Sequence, residues 1–375
     1  MMVRYASYLM AAILPLLLFH WFTPASIGQI DFWLLWLLAM VIVALPMVYA
    51  EIALAYRSRQ APVGGMQVLT READASILWR GFGWLAAIVA IVIAALAISG
   101  ASMGVQGALT EFGIQLSMPT FALSAGLIVI AMLLSLLGAG TLPVGFVLMG
   151  VGLLFGLFSG HPAWDFAMTQ VSLAEWGRAV ALALVSVGAG TGIYWYAQNA
   201  ANTTAEQLGQ DDYPIAASKN NGLRASQQVL PIWGLQLVAG LAALLISGIN
   251  LPPLGALFYL VGVLCVSAYL LHYAAEQFKV KFGLIISLVL TLLIGVVLAA
   301  ALPATWLVIV LVISSSVAAL LLSVFAGWQM KISHLRKSLN FGNEAFYNLW
   351  RIAIRILVPL AMLLAAIGWL GEWLG

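Results

Sequence analysis

The sequence predicts an all-α polytopic membrane protein of about eleven transmembrane helices in one domain. Three observations carry that expectation. Hydrophobic residues fill 64% of the 375 positions and charged residues only 7%, where soluble domains carry about 25% charged residues. The apolar residues gather in runs of roughly 18–27 residues, each long enough to cross a bilayer that needs about 20. The connections between runs are short, which leaves no room for a soluble domain.

The runs fall at roughly 5–22, 31–56, 79–105, 119–139, 142–160, 178–200, 228–248, 252–276, 282–302, 304–328 and 350–372. The first follows Arg4, and no small-residue cleavage site appears before Asp31. It therefore reads as a membrane helix and not as a cleavable signal peptide. The longest polar segments are 57–78, 201–227 and 329–349. Trp33, Trp36, Trp164, Trp176, Trp306, Trp328, Trp350 and Trp369 stand near predicted span ends, where indole rings settle in an aromatic belt.

Charge placement gives an orientation. With the N-terminus inside, the inner loops hold Arg57, Arg59, Arg71, Arg80, Lys219, Arg224, Lys279, Lys281, Lys331, Arg336, Lys337, Arg351 and Arg355. Only Arg178 falls outside, beside Asp31, Glu111, Asp165 and Glu175. Lys and Arg favour the cytoplasmic side, so eleven crossings put the N-terminus in the cytoplasm and the C-terminus outside. A shift of one crossing in mid-chain destroys the pattern.

Few side chains in this chain carry chemistry. Cys265 is the single cysteine, which excludes an internal disulfide and any cysteine metal cluster. His20 and His272 are isolated, without companions at metal-ligand spacing. Asp211-Asp212 lacks the second acidic cluster that a Mg²⁺-dependent lipid enzyme needs and reads as a solvated turn before Pro214. The sequon at Asn202 lies on the expected inner side. No metal, no cofactor and no enzymatic activity are expected.

Two features stand out against this background. Glu51 sits near the inner end of the second run, and an ionisable residue within a span is a functional candidate by default. Ser186-Val187-Gly188-Ala189-Gly190-Thr191-Gly192 lies inside the sixth run, and each of its glycines costs a helix about 1 kcal/mol relative to alanine. Two readings of that stretch stand side by side. One is a helix opened at membrane depth, which is tolerated only where protein buries it or a wet cavity solvates it. The other is close helix packing through small residues. In the first, the freed amides offer hydrogen bonds to the Glu51 carboxylate.

Several stretches together resemble the neurotransmitter:sodium symporter family, which has the LeuT fold. Leu45-Pro46-Met47-Val48-Tyr49-Ala50-Glu51, with Tyr56-Arg57 and Gly64-Gly65, is similar to its proline–glutamate segment and glycine-bearing inner loop. Arg80-Gly81-Phe82-Gly83-Trp84 resembles the start of its third helix, and Ser186 to Gly190 its broken sixth helix. The segment Trp350 to Pro359 resembles the last helix of the eleven-helix bacterial members. The resemblance implies a first five-helix repeat at 1–160, an inverted second repeat at 178–328 and an extra helix at 350–372.

It also implies a function: alternating-access transport of a small polar solute, such as an amino acid, across a bacterial inner membrane. Ser186, Gly188, Ala189 and Gly190 would bind the solute, and Glu51 would serve gating. The sodium positions depart from the pattern. Leu9 to Trp21 has no glycine, asparagine or arginine where the family's first helix is broken. Leu184, Leu264 and Cys265 stand at ligand positions, with Ser267 nearby, and Ala94 stands near the family's substrate-contacting tyrosine. The coupling ion is therefore open between sodium, proton and none. A divergent non-transporting subunit or receptor-like relative is the second expectation.

Overall fold

The computed structural model describes residues 5–23, 29–115, 117–159, 167–168, 171–199, 225–246 and 249–374. Lys219, Arg224, Asp211, Asp212 and the sequon at Asn202 lie outside these residues. Among those described, eight helical segments are long and apolar enough to cross a membrane. The chain is an all-α polytopic membrane protein, as its composition requires.

The helices run in chain order as α1 (Ala6–Leu18), α2 (Ile30–Ser58), α3 (Pro62–Glu72), α4 (Gly81–Glu111), α5 (Thr120–Leu134), α6 (Thr141–Ser159) and α7 (Leu173–Leu184). They continue as α8 (residues 193–199), α9 (Ala225–Ile246), α10 (Pro253–Phe282), α11 (Leu284–Ala301), α12 (Ala304–Gln329), α13 (Ile332–Leu339) and α14 (Glu344–Gly371). One continuous segment, Thr120–Ser159, is two crossings. Gly138 interrupts it at φ 59°, ψ −139°, a left-handed-side backbone that glycine adopts without a Cβ penalty. With α1 and the α7/α8 pair, the described helices account for the eleven apolar runs.

α4 and α10 form the centre. They are the two most buried spans, with 78% and 72% of their apolar windows enclosed, against 22% for α11. They pack antiparallel, with Trp84 stacked on Phe278 at 5.9 Å. α6 crosses α10 at two glycine pairs: Gly145 meets Gly262, and Gly152 meets Gly255. The two pairs stand seven residues apart on each helix, and small residues at such a crossing let two membrane helices bring their backbones together. A Cβ on Gly145 would lie 3.1 Å from the Gly262 carbonyl.

The polar segments hold structure that hydropathy alone does not forecast. α3 lies in the segment after α2, and α13 in the segment before α14. Leu335, Ser338 and Leu339 of α13 face inward, while Arg336 and Lys337 stay exposed. Arg57 forms an ion pair with Glu72, and His334 Nδ1 lies 2.9 Å from the same carboxylate. One carboxylate thus joins α2, α3 and α13.

The opened helix and its carboxyl anchor

α7 begins with a complete capping box. Ser172 Oγ accepts from the Glu175 amide at 3.1 Å, and the Glu175 carboxylate accepts from the Ser172 amide at 3.0 Å. This pairing satisfies two amides that a helix start leaves without intrahelical partners. Twelve residues later the helix stops. Residues 185–192 are non-helical, and helix resumes at 193. Of the two sequence readings, the opened helix is the one the backbone adopts.

Glycine makes the opening possible. Gly188, Gly190 and Gly192 take φ of 70°, 76° and 82°, a region where a Cβ clashes with the backbone. A Cβ on Gly190 would also lie 3.2 Å from Ala319 Cα.

An opened backbone in an apolar interior must find hydrogen-bond partners elsewhere. Glu51 supplies the main ones. Its Oε2 accepts from the Gly190 amide at 2.9 Å and its Oε1 from the Trp195 amide at 3.0 Å. The side chain is fully buried, so these amides stand where water would otherwise have to be. The Tyr194 hydroxyl donates to the Val187 carbonyl, which Gln236 Nε2 also approaches at 3.4 Å. The Thr191 hydroxyl donates to the Gly188 carbonyl at 2.6 Å.

Ser186 behaves differently. Its hydroxyl donates to the Leu182 carbonyl one turn back, a bond serine often makes within its own helix. Every residue from 185 to 192 is buried. Leu14 of α1 packs on Gly188, and Met47 of α2 with Ala319 of α12 on Gly190. Ser186, Gly188, Ala189, Gly190 and Glu51 therefore form one local cluster, enclosed mostly by apolar side chains.

A cavity of about 240 Å³ lies between α1, α4 and α10, and no residue of this cluster lines it. Leu16, Leu17 and His20 line it from α1, Ala97 and Ala101 from α4, and Tyr259 from α10. α1 itself is not opened: Pro15 lies inside Ala6–Leu18, and a single 3₁₀ turn, Phe19–Trp21, extends it. Leu184, Ala94, Leu264 and Cys265 are all buried, and none of them carries a side-chain oxygen. Among the described residues, no group of three or more His, Cys, Asp or Glu converges. His272 lies against Gly138 at the turn between α5 and α6.

Sequence reasoning named Glu51 and the glycines but missed Gln236, Tyr194 and Leu14. Gln236 carried a usable signal, as an isolated amide within an apolar run. Leu14 carried none, because one leucine among many has no distinguishing chemistry.

No family model matches the chain, and no curated protein matches it. Its structure is similar to that of MhsT, solved in complex with L-phenylalanine, with a TM-score of 0.64, 16% identity and 98% of each chain covered. A likeness of that extent at that identity shows a shared fold, the LeuT fold.

Proposed function

We infer that the protein is a secondary transporter that moves a small solute across the membrane by alternating access. The observation that carries this reading is the helix opened at residues 185–192 and held by Glu51. A helix opened in mid-membrane spends hydrogen bonds that a purely structural span keeps, and transporters use such openings to bind their solutes. The fold shared with MhsT supports the reading. MhsT has been solved with L-phenylalanine, and an amino acid is the solute class proposed here. Ser186, Gly188, Ala189 and Gly190 are the proposed solute contacts; the amides of Gly188, Ala189 and Gly190 already donate to Val185, Leu184 and Glu51, so the solute would meet their carbonyls or displace one of these bonds.

Glu51 is the gating residue in this reading, because it couples α2 to the opened stretch at Gly190 and to α8 at Trp195. Residues 1–160 and 178–328 are the inverted repeats, with 350–372 as the extra helix. The N-terminus is cytoplasmic, the C-terminus lies outside, and the membrane is a bacterial inner membrane. The coupling ion is open between sodium, proton and none, and proton-coupled or uncoupled transport is favoured: Leu184 and Leu264 offer no side-chain oxygen, and α1 is a continuous helix in which only Pro15 removes a backbone bond.

One observation favours a second reading, a non-transporting relative. The opened stretch is buried throughout, and the Ser186 hydroxyl is already used by its own helix. Purified protein in liposomes separates the two. Uptake of labelled amino acids above empty vesicles, abolished by Gly190→Leu, supports transport. No uptake and no binding of any amino acid overturns it.

A further inference from the structure

A second pocket, far from the opened helix, has the chemistry of an anion site. It lies where α12, α13 and α14 meet and holds about 900 Å³. Lys331, Arg336, Lys337 and Arg355 line it, together with Asn340 and Trp328. Two of these cations have acidic company: Arg336 pairs with Glu344, and Lys331 Nζ lies 3.5 Å from the highly exposed Asp74 carboxylate. Lys337 and Arg355 have no acidic partner among the described residues.

Arg355 is held in place for such a role. It sits in a π-helical turn of α14, Ala353–Leu357, and its Nε donates to the Gly327 carbonyl in the facing π-helical turn of α12. Its guanidinium lies 5.2 Å from the centre of the Trp328 ring. Trp328 in the pocket wall is 59% exposed, and Ile352 and Ile356, three residues before and one after Arg355 on α14, are 52% and 55% exposed. Cations beside exposed apolar groups mark the boundary between lipid headgroups and hydrocarbon.

We propose that this pocket binds the phosphate of an anionic phospholipid, with the acyl chains lying over Ile352 and Ile356 of α14. Lys337 and Arg355 supply the charge that zwitterionic lipids do not need, and Trp328 closes the headgroup side. A free phosphate shares the charge but has no use for the apolar flank. That flank is why the occupant is a lipid.

Native mass spectrometry of the full chain released from nanodiscs of equimolar phosphatidylglycerol and phosphatidylcholine tests the proposal. Each basic residue near a membrane surface contributes about 1 kcal/mol toward anionic lipid, or about fivefold in binding. Phosphatidylglycerol is expected to be retained preferentially. Lys337→Gln with Arg355→Gln should cut the preference by roughly twenty-five-fold on the same basis. Lys279→Gln with Lys281→Gln, at the far end of α10, should leave it. An unchanged preference in the first pair, or an equal loss in the second, overturns the proposal. So does retention of millimolar inorganic phosphate in place of the lipid. Should the double variant not fold, Lys337→Gln alone removes an exposed charge and should still lower the preference about fivefold; no change there overturns it too.

Discussion

The Glu51 carboxyl and the Gly190 amide are 139 positions apart in the chain and 2.9 Å apart in the structure. Each explains why the other is tolerated. A buried carboxyl in a membrane span needs donors, and an opened helix has amides without acceptors. With Trp195 as the second donor at 3.0 Å, both carboxyl oxygens are used.

Replacing Glu51 separates these roles. Glu51→Gln keeps one carbonyl oxygen but points an NH₂ group at one of the two amides. A buried donor left unpaired costs about 1–3 kcal/mol, so the variant should unfold measurably earlier on heating in detergent. Glu51→Ala orphans both amides and should cost about twice as much on the same scale. Protease cutting within residues 185–192 should rise in the same order. Wild-type melting of Glu51→Ala would show that the anchor has no structural weight.

The glycines can be tested against each other. Gly190→Ala places a Cβ at φ 76° and against Met47 and Ala319. Strain of this kind costs about 1–3 kcal/mol, before any clash is added. Gly234→Ala, within α9, meets nothing within 4 Å of the new Cβ, and a helix interior gains about 0.5–1 kcal/mol from that change. Melting temperatures should therefore move in opposite directions. A fall of similar size at both positions would mean that the opening is not what makes Gly190 irreplaceable.

Sodium should not stabilise the protein. An ion that binds only the native state raises the melting temperature by mass action. The positions that resemble a sodium site hold Leu184, Leu264 and Cys265, all buried and without side-chain oxygens, and the nearby buried Ser267 hydroxyl is a single oxygen. Melting in sodium chloride and in potassium chloride at equal ionic strength should coincide. A sodium-specific rise would show that oxygens outside these positions complete a site.

The legible and the illegible parts of this protein differ in physical kind. Eleven crossings were readable because lipid demands length and apolarity from every span, and α10 or α11 cannot disguise either. The opening at 185–192 was only half readable: three alternate glycines fit an opened backbone or close packing equally, and the resemblance to a family with a broken sixth helix is what favoured the first. Glu51 was readable as a carboxylate inside an apolar run, though its place near the inner end of that run left its full burial unforeseen. α3 and α13 were not read, since their mean apolarity is low; the mark they carry is a helical period, with Val63, Met66 and Leu69 or Leu335 and Leu339 facing inward. Nor was the packing of Leu14 on Gly188: which leucine meets which glycine is decided by helix crossing, and the pattern of a single run contains nothing about its neighbour.

Acid should loosen the junction of α2, α3 and α13 outside the membrane. The Arg57 guanidinium hydrogen-bonds the Glu72 carboxylate and lowers its pKa below the ordinary value. A carboxylate with a depressed folded pKa stabilises the fold above the ordinary value of about 4.3 and loses that contribution as pH falls through the lower folded value. Glu72→Gln removes the charge outright, at a cost of up to about 1 kcal/mol for a partly exposed pair. The gap in melting temperature between wild type and Glu72→Gln should be present at neutrality and should close below about pH 4, as Glu72 itself becomes neutral. Arg57→Gln should reproduce the neutral-pH loss, because it removes the donor that causes the shift. A gap that persists undiminished in strong acid would place the stabilising charge on a different residue.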